Sequence, residues 1–179
     1  MKKTVFLTGA TGNMGAAGLA ELLKKKDLYN IVLLARPSKV NKEKLAYLKD
    51  EESVKIVWGD LLNYDDILKC VTGADIVLHV GGMVSPQADY FPKRTIKTNT
   101  EAAKNIVKAV LAQPNKDEIK VVYIGTVAQT SDRNEPIHWG RTGDPICISV
   151  YDHYAISKTE AEKIFVESGI KHWVSLRQS

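Results

Sequence analysis

Tyr154 and Lys158 are the two residues of this 179-residue chain whose types and spacing best suit proton chemistry. If this stretch is helical, residues four apart lie on one face of the helix. A free tyrosine has a pKa near ~10 and is a poor acid or base at neutral pH, but a nearby ammonium lowers that pKa. Tyr151 is a natural comparison, because the residue four positions further on is Ala155. Such a pair is also common in ordinary amphipathic helices, so it needs support from elsewhere.

A glycine-rich turn near the N-terminus gives that support. The stretch VFLTGATGNMGAAGL (Val5–Leu19) opens with a β-prone apolar run, has glycine at positions 9, 12 and 15, and continues in a helical pattern. In a strand–turn–helix unit that binds a dinucleotide, the first glycine makes the tight turn, the second lets the backbone approach the pyrophosphate, and the third lets the helix pack on the strand. The helix N–H groups then face the anion. The alternative is a plain turn and helix start. A nucleotide-hydrolase loop is excluded, because no Gly-Lys-Ser/Thr closes the turn.

The rest of the chain alternates between strand and helix patterns. The predicted strands are Lys3–Thr8, Asn30–Ala35, Val54–Trp58, Asp75–His79, Lys120–Ile124 and His172–Leu176. The predicted helices are Asn13–Lys25, Asn41–Lys49, Tyr64–Cys70, Arg94–Ala112 and Asp152–Ser168. Short apolar strands are expected when a parallel sheet is covered on both faces, and repeated βα units imply right-handed crossovers. We therefore predict an α/β fold with a doubly wound parallel sheet (a Rossmann fold) in three layers.

Ligands of such sheets bind beyond the carboxyl ends of the strands, and several predicted ends carry suitable residues. Arg36 follows the second strand, 21 residues after Gly15, and no carboxylate occupies Ile31–Pro37. An acid near this point holds the ribose of NAD, whereas an arginine accommodates the 2′-phosphate of NADP; an exposed arginine is otherwise commonplace. Asp60 follows the third strand and suits either an adenine amino group or a helix cap. The fourth ends in Val80-Gly81-Gly82, where missing side chains let a cofactor lie against the backbone.

The fifth predicted strand leads into an unusually long connection. Thr126, about 28 residues before Tyr154, has a hydroxyl that suits a substrate oxygen. The connection Gly125–Tyr151 spans about 27 residues, and compact domains rarely keep so long a loop without a functional reason. Its charged and aromatic residues are Asp132, Arg133, Asn134, Glu135, His138, Trp139 and Arg141.

Composition narrows the class of protein. A hydrophobic fraction of 44% and a charged fraction of 26% are ordinary for a soluble globular protein. The run Lys24–Lys26 fits a solvated helix end better than a nucleic-acid contact, since the net charge is only +4. No apolar run reaches membrane-spanning length and no signal peptide is visible. Cys70 and Cys147 form no disulfide or metal pattern. We expect a reduced, cytoplasmic protein without metal, nucleic-acid or membrane partners.

Taken together, these pieces resemble the short-chain dehydrogenase/reductase superfamily, in particular its extended branch of NAD(P)-dependent epimerases, dehydratases and reductases. The matching stretches are TGATGNMG (Thr8–Gly15), GDL (Gly59–Leu61), IGT (Ile124–Thr126) and YAISK (Tyr154–Lys158). The resemblance runs from Lys3 to Arg177. The chain departs from the family pattern at Ala102-Ala103, where Gly-Thr is usual, at Gly81-Gly82, and at Thr126, where Ser is commoner.

The resemblance implies site residues and roles. The residues expected to be catalytic are Thr126, Tyr154, Lys158 and Asn99. Tyr154 is expected to act as acid and base, Lys158 to lower its pKa and hold the nicotinamide ribose, and Thr126 to bind the substrate oxygen. The residues expected to hold the cofactor are Gly9, Thr11, Gly12, Asn13, Met14, Gly15, Arg36, Asp60, Leu61, Val80, Gly81, Gly82, Tyr154 and Lys158.

The resemblance also implies partners and domain organisation. We expect NADP, preferred over NAD because of Arg36, a small-molecule substrate, and a homodimer through the helices Arg94–Ala112 and Asp152–Ser168. Residues 1–179 are expected to form one NAD(P)-binding domain. Because family members continue beyond the sixth strand, we expect a missing substrate-binding domain, weak cofactor binding and no turnover by this chain alone.

Two other functions stay open at this point. A non-catalytic dinucleotide sensor on the same fold would share the glycine turn, but such proteins have usually lost the tyrosine–lysine pair. If the chain were instead a doubly wound domain of another class, such as a flavin or sugar-phosphate protein, the pairing of Tyr154 with Lys158 would be a coincidence.

Overall fold

The computed structural model describes residues 2–130 and 141–178, which contain one six-stranded parallel sheet. Its strands are β1 (Lys3–Thr8), β2 (Tyr29–Ala35), β3 (Val54–Trp58), β4 (Ile76–His79), β5 (Lys120–Thr126) and β6 (His172–Gln178). The strand order is β3-β2-β1-β4-β5-β6, so the chain winds outward first to one side of β1 and then to the other. The predicted doubly wound α/β fold is confirmed.

Six α-helices connect or flank these strands within the described residues. They are α1 (Asn13–Leu23), α2 (Lys39–Leu45), α3 (Tyr64–Val71), α4 (Gln87–Tyr90), α5 (Pro92–Leu111) and α6 (His153–Val166). The second helix begins earlier than predicted, because the Ser38 hydroxyl accepts a hydrogen bond from the Asn41 N–H and caps it. A 3-10 turn, Ala46–Leu48, then continues the segment that the sequence predicted as one helix. The four-residue α4 was not predicted, since one turn is too short to show a period.

Two apolar cores, one on each face of the sheet, make the fold three-layered. Alternate residues of a strand point to opposite faces, so Phe6 enters the core formed with α3, α5 and α6, whereas its neighbour Leu7 enters the core formed with α1 and α2. Both side chains are fully buried. Phe165 of α6 and Leu19 of α1 anchor helices on these two faces.

This packing sets the loops after β1 and β4 side by side. The two strands pair in parallel, with Thr8 opposite His79 at their carboxyl ends. The chain then leaves β1 through Gly9, whose φ of +78° lies in the left-handed region that favours glycine. Both loops therefore open onto the same edge of the sheet.

Candidate active site

A cleft with a volume of about 1030 Å³ lies at the carboxyl edge of the sheet. The structure brings to it every residue that the sequence predicted to hold the cofactor, namely Gly9, Thr11, Gly12, Asn13, Met14, Gly15, Arg36, Asp60, Leu61, Val80, Gly81, Gly82, Tyr154 and Lys158. The glycine turn and the tyrosine–lysine pair therefore share one cavity, although about 140 residues separate them in the chain.

The glycines of the turn have different physical requirements. A Cβ added at Gly15 would lie 2.0 Å from the Gly9 carbonyl oxygen, and one added at Gly9 would lie 2.8 Å from the Gly81 backbone. Packing of the protein itself therefore demands both glycines. At Gly12 an added Cβ would lie 3.5 Å from the Gly9 oxygen, which is ordinary contact. The bare backbone at Gly12 thus leaves room in the cleft for a ligand to approach closely, which is the fit that a dinucleotide pyrophosphate requires.

The N-terminus of α1 faces the same cavity. Gly12 is its N-cap and supplies no side-chain hydrogen bond, and the first turn of α1 carries no acidic residue. The first N–H groups of a helix have no intrahelical partner and sit at the positive end of its dipole. This end of α1 is therefore suited to bind an anionic group.

A buried hydrogen-bond cluster ties the β4 turn to the end of β1. The Thr8 hydroxyl oxygen accepts hydrogen bonds from the Val80 N–H at 3.1 Å and the Gly81 N–H at 2.8 Å, and it lies 2.9 Å from Nδ1 of His79. Its own proton must then go to His79 Nδ1, so His79 is neutral with its proton on Nε2. Burial, aided by the charge of Lys158, lowers the pKa of His79 to about 3. This pair was not predicted from the sequence, although a histidine at the end of an apolar strand was a visible sign.

The Tyr154 hydroxyl does not have the lowered pKa that the sequence argument predicted. Burial raises the pKa of Tyr154 and Asp152 adds to the rise, while a side-chain hydrogen bond with Thr126 opposes it. The Lys158 ammonium instead lies 4.3 Å from the centre of the Tyr123 ring. Lys158 is not among the groups that shift the Tyr154 pKa in this geometry, so its predicted effect on that pKa stays a prediction.

Lys158 is itself a buried cation. Only 5% of its surface is exposed, and the Tyr123 hydroxyl donates a 3.0 Å hydrogen bond to its carbonyl oxygen. Burial lowers the pKa of Lys158 to about 8, and the negative charge of Glu162 opposes this. Lys158 therefore keeps most of its charge at neutral pH, but at a cost in folding free energy.

Replacing Lys158 by methionine is expected to stabilise the fold at about pH 7 by ~1–3 kcal/mol. In the wild-type chain the pKa of Lys158 falls on folding from 10.5 to about 8. Between these pH values the unfolded chain binds more protons than the folded chain, so the stability of the wild-type protein rises with pH. Below about pH 8 the full cost of burying the ammonium is present. The gain should therefore shrink as the pH approaches 10.5. Urea unfolding of both proteins across this pH range measures the difference, and a variant less stable at neutral pH would contradict the assignment.

Thr126 and Asn99 lie next to the cleft wall and are not among its lining residues. Thr126 is buried at the end of β5, and its side chain meets Tyr154. The Asn99 amide oxygen accepts from the Met83 N–H at 2.8 Å, and its nitrogen donates to the Met83 carbonyl and to Ser157 Oγ. Asn99 thus joins the β4–α5 connection to α6. Its predicted catalytic role stays a prediction, and these contacts suit positioning.

Arg36 and Asp60 line the adjacent part of the cleft. Arg36 is exposed, and its carbonyl oxygen accepts a 2.9 Å hydrogen bond from the Asn41 side chain. One Asp60 carboxylate oxygen accepts from the Leu62 N–H at 2.9 Å. The helix-cap alternative for Asp60 is wrong, because Asn63 caps α3.

One side of the cleft, formed by the β4–α5 connection and the start of α5, was not predicted from the sequence. The lining residues there are Met83, Val84, Gln87, Phe91, Arg94, Lys97 and Thr98. Among the lining residues that the structure describes, Asp60 is the one carboxylate, and the cations are Arg36, Arg94, Lys97 and Lys158. This balance favours an anionic ligand. The spacing of Arg94 and Lys97, three residues apart at the start of a predicted helix, was the available indication.

Three expectations, on the long connection, on membrane partners and on metal partners, can be compared with the described residues alone. Asp132, Arg133, Asn134, Glu135, His138 and Trp139 lie outside the described residues. In the described ranges, 2–130 and 141–178, no helix is long and apolar enough to cross a bilayer. The same ranges contain no group of three or more His, Cys, Asp or Glu side chains that could hold a metal ion.

A model of the NAD dependent epimerase/dehydratase family matches residues 5–176. The chain belongs to this family. The match covers both the glycine turn and the tyrosine–lysine pair, so the resemblance found in the sequence motifs is confirmed.

Curated relatives of this family member include UDP-glucose 4-epimerases. That of Rickettsia bellii (strain RML369-C) is 32% identical over 128 residues, which make up 69% of this chain and 36% of the relative. That of Rickettsia akari (strain Hartford) is 30% identical over the same shares. The alignment thus spans about a third of the length of these relatives.

Solved structures show the fold. The UDP-Glc/GlcNAc 4-epimerase of Campylobacter jejuni superposes with a TM-score of 0.81 at 19% identity, over 98% of this chain and 53% of that one. The Bordetella bronchiseptica enzyme WbmH, solved in complex with NAD+, superposes with a TM-score of 0.75 at 24% identity, over 99% of this chain and 56% of that one. The UDP-glucose 4-epimerase of Thermus thermophilus, solved with NAD, superposes with a TM-score of 0.79 at 20% identity, over 97% of this chain and 54% of that one.

Proposed function

We propose that this chain is the dinucleotide-binding part of an NAD(P)-dependent enzyme that oxidises or reduces a substrate carbinol or carbonyl carbon, with Tyr154 as acid and base. The observation that carries the proposal is one cleft lined by the three glycines of the turn (Gly9, Gly12 and Gly15), Tyr154 and Lys158. Family membership supports the class of reaction. The non-catalytic sensor stays as the alternative that the experiments below can favour.

The residues present fit the cofactor. The α1 N-terminus and the bare backbone at Gly12 suit the pyrophosphate, and the close contact of Gly9 with Gly81 keeps side chains out of its path. When bound, the nicotinamide supplies the site that accepts or donates hydride. Lys158, one helical turn from Tyr154, is the cation available to a ribose hydroxyl.

The protein groups handle the proton on the substrate oxygen. With its raised pKa, Tyr154 is protonated at neutral pH and ready to donate to a carbonyl oxygen. To take a proton from a carbinol, it needs the nearby positive charge of Lys158. Thr126, whose side chain meets Tyr154, can orient the same oxygen.

A sugar nucleotide is the substrate class that we propose. Curated relatives are UDP-glucose 4-epimerases, and the cleft carries Arg94 and Lys97 in addition to the residues expected to hold the cofactor. Whether the outcome is epimerisation, dehydration or net reduction depends on residues that hold the sugar, which we propose lie in a further domain. Incubation of the active enzyme with UDP-sugars and NAD or NADP, followed by chromatography, tests this. Products formed equally well by Tyr154→Phe would contradict the role of Tyr154.

Replacing Arg36 by alanine is expected to weaken NADPH binding more than NADH binding. Arg36 follows β2, is exposed and lines the cleft, and a guanidinium can bind a phosphate through two parallel hydrogen bonds. Loss of a charged hydrogen bond of this kind costs about 1.5–3 kcal/mol, or roughly 10- to 100-fold in affinity for NADPH. Fluorescence titration with both nucleotides measures it. Equal affinity of the wild-type protein for NADH and NADPH would contradict the preference.

We also propose a homodimer through α5 and α6 and a cytoplasmic location. Both proposals rest on the resemblance to the extended branch of the superfamily, and the location also accords with the free thiols of Cys70 and Cys147. Val166 of α6 is exposed, as an interface residue must be in one protomer, whereas Ile164 is partly buried against the core.

A further inference from the structure

A buried polar cluster lies behind the Tyr154 site, centred on Glu162 of α6. Glu162 is only 5% exposed and Gln129 is fully buried. One carboxylate oxygen accepts from Gln129 Nε2 and from Ser175 Oγ, both at 2.8 Å, and the other accepts from Arg177 Nη2 at 2.6 Å. We call these four residues the Glu162 cluster. No element of the proposed chemistry uses them directly.

The cluster reaches Thr126 through the side-chain amide of Gln129. Gln129 Oε1 accepts a 2.9 Å hydrogen bond from the Thr126 N–H, while its nitrogen donates to Glu162. A carboxylate only accepts and a backbone N–H only donates, so the amide can satisfy both partners in one orientation alone. The charge of Glu162 therefore fixes the direction of the chain of hydrogen bonds that ends at Thr126.

Gly125 makes room for this chain of hydrogen bonds. A Cβ added there would lie 2.7 Å from Gln129 Oε1 and 2.9 Å from Ser175 Oγ. A side chain at position 125 would push the cluster apart. The glycine of the Ile124–Thr126 motif is thus explained by the protein's own polar packing.

The cluster also adjoins Lys158, one turn earlier on the same face of α6. The groups that act on the Lys158 ammonium are His79 from β4, the Tyr123 ring from β5 and Glu162 on its own helix. Tyr154 lies one turn before it, and Arg177 from β6 pairs with Glu162. His79 is neutral and Arg177 is a cation, so Glu162 supplies the negative charge among these groups.

We propose that Glu162 is a positioning residue, which fixes Thr126 through Gln129 and supports the buried Lys158 as a cation. This inference rests on the proposed function for its consequence, because Thr126 and Lys158 are the two groups that flank Tyr154 in that scheme. Glu162 itself is not among the residues that line the cleft.

The test uses Glu162→Gln with Glu160→Gln as matched control, since Glu160 is exposed on the same helix and loses the same charge. In protein with ¹³C-methylated lysines, assigned with Lys158→Arg, Glu162→Gln is expected to lower the titration midpoint of Lys158 by about one pH unit. Amide hydrogen exchange at Thr126 should become faster in the same variant. Glu160→Gln should change neither value.

Gln129→Ala separates the two parts of the proposal. It is expected to speed exchange at Thr126 about tenfold or more, because that N–H loses its acceptor, while the Lys158 midpoint stays near 8. An unchanged Thr126 exchange rate in Gln129→Ala, or an unchanged Lys158 midpoint in Glu162→Gln, would overturn it. If Glu162→Gln does not fold, Gln129→Ala alone decides the link to Thr126. Neither readout needs turnover, so failure of the proposed function would show separately as absent nucleotide binding.

Discussion

Tyr154→Phe is expected to reduce kcat of the active enzyme by about 10²–10⁴-fold while cofactor affinity changes little. The change removes the hydroxyl that lies in the cleft beside Thr126 and keeps the ring that packs there. Since burial holds the pKa of Tyr154 above its ordinary value, the wild-type group is a proton donor at neutral pH. Steady-state rates and nucleotide titrations on the same preparations separate the loss of chemistry from the loss of binding.

Tyr151→Phe is the matched control for this experiment. Tyr151 is 87% exposed and lies outside the cleft lining, so its hydroxyl should be dispensable. A near-normal kcat for Tyr154→Phe combined with a large loss for Tyr151→Phe would mean that the wrong tyrosine had been assigned. If neither change affected the rate, the non-catalytic sensor would become the leading hypothesis.

Gly15→Ala is expected to lose folding stability, whereas Gly12→Ala is expected to lose affinity for the nucleotide. The Cβ added at Gly15 would lie 2.0 Å from the Gly9 carbonyl oxygen, so α1 must move off β1. Overpacking of this kind costs about 1–3 kcal/mol or more, and we expect Gly15→Ala to unfold at clearly lower urea concentration. Nucleotide binding should be lost as a consequence of the displaced helix.

Gly12→Ala should instead keep the fold and bind the nucleotide more weakly. Its Cβ meets the nearest protein atom at 3.5 Å, and its φ of −91° suits alanine, so the cost to stability is about 1 kcal/mol or less, as for a weakened N-cap. The added methyl projects where the pyrophosphate must approach, and we expect affinity for NADH and NADPH to fall at least ~10-fold, equivalent to about 1.4 kcal/mol. Urea unfolding and nucleotide titration of both variants give the comparison. A destabilised Gly12→Ala beside an unaffected Gly15→Ala would contradict the assignment of the two glycines.

The strands were predictable because each is a short apolar run bounded by polar or glycine residues. β1 (Lys3–Thr8) and β3 (Val54–Trp58) have the predicted bounds. β5 runs two residues beyond its predicted end, since Thr126 still pairs with Gln178 of β6. The local pattern could not show this, because pairing with a later strand extended the element.

Candidate site residues were predictable to the level of the cleft but not of their contacts. Spacing placed Tyr154 and Lys158 on one helical face, and the structure brings both to the cavity. The spacing alone could not show that the Lys158 ammonium lies over the Tyr123 ring, because β5 meets α6 only after folding. The partners of Asn99 and Glu162 were hidden for the same reason, since buried hydrogen bonds join segments far apart in sequence.

The proposed function depends most directly on a dinucleotide lying across the glycine turn. Titration of ¹⁵N-labelled protein with NADP and NAD measures this binding even where it is weak. We expect the amide resonances of Gly9, Gly12 and Gly81 to shift along a saturable curve, with Gly12→Ala greatly reducing the effect. A second groove, between α1 and the sheet and lined by Leu22 and Tyr29, should give no shifts. Unmoved glycine-turn resonances at millimolar nucleotide, or shifts confined to that second groove, would contradict the account.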